Sequence, residues 1–385
     1  MAGLRLVRYY GSRGLRIVRG RMQYVWDDRG RRYIDAHTGN GAAFLGHANP
    51  AIAGRVSEAL GELAACSLSF DCPHREEAVR ALSRVAPPHM GAVAFANSGA
   101  EAVEAALKMA WAHTGRRLVA AFRGSFHGRT LGALSVTWNP RYRRGFPVVE
   151  AVFLPYNSDP AEAHSAITKL GPRLAAVIVE PVQGEGGVVP GEREFLRAVG
   201  EAARESGALL VVDEIQAGFG RTGRVWAHEH YGLEPDIVTA GKALGGGLPV
   251  SAVLARGELA GALEGGRHGS THAGNPAAMA AVAAAVDVLL SDDVPARARE
   301  AGSRLASRLR GLLEGRRAVR GVRGLGLMLG VDLRANPAPT LRCMQERGVL
   351  ASKAGVSVVR LLPPYMLSPG DVEEVASVVA ECAPG

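Results

Sequence analysis

The chain has 385 residues, 47% of them hydrophobic, enough for one large domain with a smaller companion. Its formal net charge is +8 and its isoelectric point lies near 9.6, which implies attraction to acidic partners. No run approaches the roughly 20 apolar residues a membrane span needs, and the opening MAGLRLVRYYGSRG lacks the apolar core and cleavage site of a secretory leader, so a cytoplasmic protein with no membrane association is expected.

In chain order, residues 1–45 carry the hairpin-like MQYVWDDRGRRYIDA and are expected to pack with the C-terminal region. Residues 46–290 alternate helical patterns with short apolar runs: VAFAN (93–97), RLVAAF (117–122), AAVIVEP (175–181), LLVVDE (209–214), DIVTAG (236–241) and SAVLA (251–255). Such β-branched runs separated by helices predict an α/β fold with a mainly parallel sheet covered on both faces. Ligands of these sheets sit beyond the carboxyl ends of the strands, where polar residues follow each run here. Residues 291–385, with the arginine-rich ARAREAGSRLASRLRGLLEG and the strands GLMLGVDL and VSVVRLLPP, predict a smaller C-terminal domain. Cys66, Cys72, Cys343 and Cys382 show neither metal-ligand spacing nor a disulfide framework, so four ordinary thiols and no metal are expected.

LLVVDEIQAGFGRTG contains G-x-G-x-x-G at Gly218, Gly220 and Gly223. An acidic pair separates the apolar run from the glycines and no helix pattern opens at the third, so a dinucleotide turn is not expected. Asp213 is more informative, because a carboxylate ending a buried strand needs a cation or hydrogen bonds to offset its burial. Only four lysines occur among the 45 basic residues: Lys108, Lys169, Lys242 and Lys353. Guanidinium cannot replace an amine that must lose its proton and attack an aldehyde. Lys108 and Lys169 fall in helical segments that read as solvated, while Lys353, between GVLAS and AGVSVV, is less easily dismissed. Lys242 instead follows a strand and precedes Gly245, Gly246 and Gly247, which would let a ring approach the backbone. In FANSGAEAVEAALKMA, Asn97 and Ser98 are caps and Gly99 and Ala100 leave amides open to a phosphate. A Schiff-base lysine, a buried aspartate and a phosphate cradle together describe a site for pyridoxal 5′-phosphate.

At these residues the sequence resembles the class-III (ω-) aminotransferases of pyridoxal phosphate fold type I, whose large domain has a mainly parallel seven-stranded sheet beside a smaller α/β domain. The resemblance runs through FLGHANP, NSGAEAVEAALK, FHGRTLGALS, VEPVQGEGGVVP, VVDEIQAGFGRTG, GKALGGGLPVSA, HGSTHAGNP, VRGLGLMLG and VVRLLPP. It implies that Lys242 forms the Schiff base and then moves the proton. It further implies that Asp213 pairs with the pyridinium nitrogen, Gln216 with the ring O3′, Phe126 with the ring face, and Ser98, Gly99 and Ala100 with the phosphate. By the same resemblance Thr271 reaches the phosphate in a neighbouring subunit, giving a homodimer with shared active sites. Arg129, with Ser270 near it, is implied as one substrate-carboxylate site. Arg360 is implied as the second, serving 2-oxoglutarate or glutamate and screened by Glu185 when the other substrate binds. Two local departures, His272-Ala273 and Gly241 before Lys242, affect pocket shape rather than cofactor contacts.

Within that family the chain is similar to the acetylornithine aminotransferase branch, and DAHTGNGAAFLGHANP with SLSFDCPHREEAV looks more like archaeal enzymes acting on carrier-linked lysine or ornithine. The expected reaction moves the terminal amino group of such a substrate to 2-oxoglutarate, in lysine and arginine biosynthesis. A small acidic carrier protein would account for the positive charge. N-acetylornithine as the donor, or an aminomutase on the same fold, are the alternatives. A nucleic-acid partner is not expected, since the arginines are spread along the chain and only 5% of residues are aromatic.

Overall fold

The computed structural model describes residues 4–385. The opening tripeptide, part of the stretch in which no leader is expected, lies outside the described residues.

A seven-stranded sheet organises the middle of the chain, in the order Met90–Ala96, Ser251–Arg256, Ile237–Ala240, Leu209–Asp213, Leu174–Val179, Leu118–Phe122, Ala151–Leu154. Ser251–Arg256 is antiparallel to both its neighbours and the remaining strands run one way. Five-to-seven-residue runs such as LVAAF and LAAVIV suit this role because both faces are covered. Val119 and Ala121 face the helix Gly99–Thr114 on one side, while Leu118, Ala120 and Phe122 face the helix Arg193–Glu205 on the other. The edge strand Ala151–Leu154 has no counterpart among the runs read from the sequence. It is only four residues long and half-buried, so it lacks the apolar contrast that marks the inner strands.

The two chain ends meet in a four-stranded sheet. Ile17–Arg21, Tyr24–Asp27 and Arg32–Asp35 form an antiparallel meander, and Ile34 and Asp35 pair in parallel with Val349 and Leu350. A second four-stranded sheet combines Val319–Leu325, Met328–Leu333, Val358–Leu361 and Ser352–Ala354. The helices Val294–Leu313 and Pro369–Cys382 cover it. One buried cluster runs from these elements through the helix Pro276–Ser291 into the large sheet, so the smaller layer is anchored by packing as well as by strand pairing.

The expectation of four ordinary thiols is corrected in one respect. Cys343, on helix Ala338–Glu346, is disulfide-bonded to Cys382 at the end of the last helix, with Cα atoms 5.5 Å apart and a sequence separation of 39 residues. Spacing along the chain does not show this pair because helix packing creates it. Cys66 and Cys72 are free. Closing a loop of that length contributes about 4 kcal/mol by restricting the unfolded chain. Reductant, or Cys343→Ser, is expected to lower the unfolding free energy by about that amount. Denaturant titration with and without reductant checks it, and equal midpoints would refute it.

Candidate active site

The parallel strands deliver their carboxyl ends to one edge of the large sheet, and the polar residues there come from separate parts of the chain. Asp213 closes its strand and is buried, with 4% exposure. Its Oδ2 lies 2.7 Å from His127 Nδ1, and its Oδ1 accepts from the Thr239 hydroxyl at 3.1 Å and the Ile215 amide at 3.1 Å. These partners offset the cost of burying a carboxylate. The far nitrogen of His127, Nε2, is buried with no hydrogen-bond partner among the described residues.

Lys242 begins a short 3₁₀ turn after strand Ile237–Ala240, with φ at +48°. That left-handed backbone costs a non-glycine residue of order 1 kcal/mol or more and is characteristic of functional positions. Its Nζ makes no hydrogen bond or ion pair within the described residues. Burial and the nearby Arg360 guanidinium push the amine down to about 8, opposed by the charges of Glu185, Asp213 and Glu180. The other lysines lie elsewhere. Lys108 docks on the Arg267 carbonyl and His268, while Lys169 and Lys353 are exposed.

Two of the three glycines after Lys242 are also required by packing. A Cβ at Gly245 would lie 2.4 Å from Val250, and one at Gly246, where φ is +56°, 2.4 Å from Ile52. They allow the turn to close against its own neighbours. Of the three, Gly247 alone faces open space.

Ser98 is the N-cap of helix Gly99–Thr114, its Oγ accepting from the Glu101 amide at 3.3 Å. The amides of Gly99 and Ala100 have no acceptor within the described residues, which leaves a helix N-terminus open to an anion. Asn97 does not cap. Its side-chain amide donates to Glu101 at 2.8 Å and to Ser270 Oγ at 2.8 Å. Ser270 thus stands at the head of this helix. Arg129 is exposed and stacks on Tyr142 at 4.5 Å, Tyr10 at 5.3 Å and Phe126 at 5.8 Å. Thr271 is exposed on the loop that follows Ser270.

Arg360 lies on strand Val358–Leu361 with its side chain 1% exposed. Nη1 donates to Glu185 Oε1 at 2.6 Å and to Gln216 Oε1 at 3.2 Å, and Nε donates to Ser352 Oγ at 3.1 Å. Nη2 donates to Asn40 Oδ1 at 3.4 Å. Arg360, Glu185 and Gln216 are therefore one hydrogen-bonded group. The fully buried Arg221 donates to the carbonyls of Gly41, Leu327 and Pro363, joining three distant segments beneath it. Burial, and secondarily the charge of Arg360, push that guanidinium down to about 9.

Two residues not selected from the sequence also belong here. His127 holds Asp213, and Glu180 stands beside Asp213, one residue beyond the paired Val179 and Val212. Burial and Asp213 push the Glu180 carboxyl up to about 7, against the pull of His127 and of the Phe126 and Gly184 amides. The criterion that selected Asp213, a carboxylate ending a buried strand, applies equally to Glu180. The glycine pattern 218–223 is a run of turns with no helix starting at Gly223, as expected.

An amine held near neutrality, a buried aspartate and an open helix N-terminus on one sheet edge are the donor set of a fold-type-I pyridoxal phosphate enzyme. The comparisons are specific within that class. The profile of the family described as aminotransferase class-III matches residues 9–382, and the chain belongs to that family. It is 48% identical over 380 residues to the LysW-aminoadipate semialdehyde/glutamate semialdehyde transaminase of Sulfolobus acidocaldarius, covering 98% of this chain and 97% of that one. It is 58% identical over 384 residues to an Aeropyrum pernix protein provisionally assigned the same activity, covering 99% and 98% of the two chains. The ornithine aminotransferase of Toxoplasma gondii superposes with a TM-score of 0.92 at 29% identity, covering 98% of this chain and 91% of that one. The chain is a pyridoxal-phosphate-dependent aminotransferase. When bound, the cofactor supplies an aldehyde for the amine and a ring that withdraws electrons from the carbon bearing the substrate nitrogen.

Proposed function

We propose that this enzyme moves the terminal amino group of lysine or ornithine, joined through its α-nitrogen to a small acidic carrier protein, to 2-oxoglutarate, and runs in reverse from glutamate. The observation that carries the acceptor assignment is the Arg360–Glu185 pair. A buried guanidinium bonded to a one-third exposed carboxylate can exchange that partner for the distal carboxylate of a dicarboxylic substrate. When the donor binds, Glu185 returns and neutralises Arg360. The relatives named for LysW-linked substrates support a carrier-linked donor, and the net charge of +8 suits an acidic one.

In this reading Lys242 takes and returns the migrating proton, Asp213 faces the ring nitrogen, Phe126 the ring face, and Ser98, Gly99 and Ala100 the phosphate. Gln216, already bonded to Arg360, would face the ring oxygen. Arg129 is assigned to the substrate carboxylate nearer the reacting carbon, with Ser270 lining the same side. Thr271, exposed on the single chain, is assigned to the phosphate in a second copy, which makes the working unit a homodimer. The segment 1–45 and residues 291–385 are assigned to a smaller domain against the cofactor-binding 46–290. Among the described residues no helix is long and apolar enough to cross a membrane, and a cytoplasmic setting is part of the proposal.

Purified enzyme with 2-oxoglutarate should give a kcat/KM for carrier-linked lysine well above that for N-acetylornithine. The carrier-linked value should fall about tenfold or more as salt is raised, since encounter is electrostatically steered. The acetylornithine value should stay within about twofold. A preference for acetylornithine, or salt-insensitive turnover of the carrier, would overturn the donor assignment.

A further inference from the structure

Glu180 is bonded to two backbone amides 58 residues apart in the chain. Its Oε1 accepts from Phe126 N–H at 2.9 Å, and its Oε2 accepts from Gly184 N–H at 3.1 Å. Phe126 adjoins the catalytic centre through His127, which holds Asp213. Gly184 immediately precedes Glu185, the partner of Arg360. One buried carboxylate, with 6% exposure, therefore fixes the backbone on both sides of the site.

The two segments are also locked sideways. Gln183 Nε2 donates to the Arg123 carbonyl at 2.9 Å. A Cβ on Gly186 would stand 2.6 Å from the Gly124 carbonyl, and one on Gly124 2.5 Å from Gln183 Oε1, so glycine is required for this approach. Beyond Glu185 the chain is held from the smaller layer. The Gly355 amide donates to the Glu185 carbonyl at 2.7 Å. Arg323 Nε donates to the Gly187 and Val188 carbonyls at 3.0 and 3.1 Å, and its Nη1 bonds Asp332 at 2.8 Å. The backbone of 184–188 is thus held from both layers, with the Gly184 amide as its tether to Glu180, and it presents the one-third exposed Glu185 side chain to Arg360.

We propose that Glu180 is a positioning residue that sets the Glu185 gate and the Phe126 segment as one unit, and so fixes the balance between dicarboxylate acceptor and amino donor. The geometry requires both carboxylate oxygens. An amide at this position accepts at one atom only and turns its own N–H₂ toward the second backbone N–H, releasing one segment. Loss of the Gly184 tether weakens the Arg360–Glu185 pair. The acceptor, which competes with Glu185 for Arg360, then binds more easily, and the donor, which needs the pair intact, binds less well. This inference rests on the acceptor assignment made for Arg360.

The test uses the full-length holoenzyme carrying Glu180→Ala or Glu180→Gln. Hydrogen exchange is followed on peptides spanning Phe126 and Gly184, and KM is measured for 2-oxoglutarate and for the amino donor. Glu180→Ala should speed exchange at both amides together by about tenfold. It should also lower the ratio of acceptor KM to donor KM by about tenfold, roughly one charge-assisted hydrogen bond. Glu180→Gln should release one amide only and lower the ratio less. It carries the test by itself if the alanine variant does not fold. A ratio within about twofold of the parent, or unchanged exchange at both amides, overturns the proposal. Arg360→Ala is the control for the underlying reading. If it leaves the acceptor KM unchanged, the acceptor assignment fails, whatever the Glu180 variants do.

Discussion

Lys242→Ala should abolish transamination, lowering kcat by about ten-thousandfold or more, because the variant loses both the nucleophile for the cofactor aldehyde and the group that moves the proton. Lys242→Arg should be as inactive, since a planar, delocalised guanidinium cannot replace the amine as nucleophile for an aldehyde. Borohydride reduction of the parent should fix the cofactor to the peptide containing residue 242, and neither variant should yield that label. The amine also has a testable pH signature. Burial and Arg360 bring it down to about 8 from the ordinary lysine value of 10.5. The lowered value means that the neutral, nucleophilic form is lost as pH falls below about 8 and is nearly complete above it. Capture of cofactor by apoenzyme should therefore quicken about tenfold per pH unit up to that point and then level off. Removing the neighbouring positive charge in Arg360→Ala should shift the break upward. A label on another lysine, or capture that keeps rising past pH 10, would sink the assignment of Lys242.

The parts of this site legible in the sequence are those written in consecutive residues. Ser98-Gly99-Ala100 follows a strand and opens a helix, so chain order alone places its amides. Asp213 and Lys242 each follow an apolar run, and parallel strands carry both ends to one edge. What pairs across the fold is not written locally. The Asp213–His127 bond spans 86 positions, and the Arg360–Gln216 bond 144. Arg360 is marked only by the resemblance to the class-III family, because spacing does not distinguish it among so many arginines, and Glu185 is marked by the same resemblance. Glu180 ends AAVIVEP as Asp213 ends its own strand, but its partners, the Phe126 and Gly184 amides, lie on other segments and leave no mark in the local sequence. The packing role of Gly245 and Gly246 is not legible in the sequence for a physical reason. A glycine that admits a ligand and one that admits Ile52 or Val250 look alike until the neighbour is known. The Cys343–Cys382 bridge is likewise absent from the local pattern, because it depends on how two helices pack.

Asp213→Asn should lower kcat by about a hundredfold to a thousandfold, the scale seen when one preorganised charge or donor is removed from a reacting centre. The substitution changes no heavy-atom count, so the Thr239 and Ile215 bonds to Oδ1 can persist. The change falls on the other atom, where an N–H₂ group replaces Oδ2 at 2.7 Å from His127 Nδ1. If Nδ1 carries the histidine proton, two donors then face each other, and His127 relieves this only by moving the proton to Nε2. That nitrogen is buried and has no partner within the described residues, so it offers the proton no acceptor and the relief is incomplete. More important for rate, a neutral amide cannot balance the ring-nitrogen charge that makes the cofactor an electron sink. Borohydride should still fix the cofactor to Lys242 in this variant, which separates loss of the electronic partner from loss of the attachment point. Its visible band should titrate differently from the parent's, and Asp213→Glu, with a carboxylate displaced by one methylene, should regain part of the rate. A variant within about tenfold of parent kcat would mean that the ring nitrogen is not balanced by Asp213. The buried carboxylate would then be a structural partner of His127 alone.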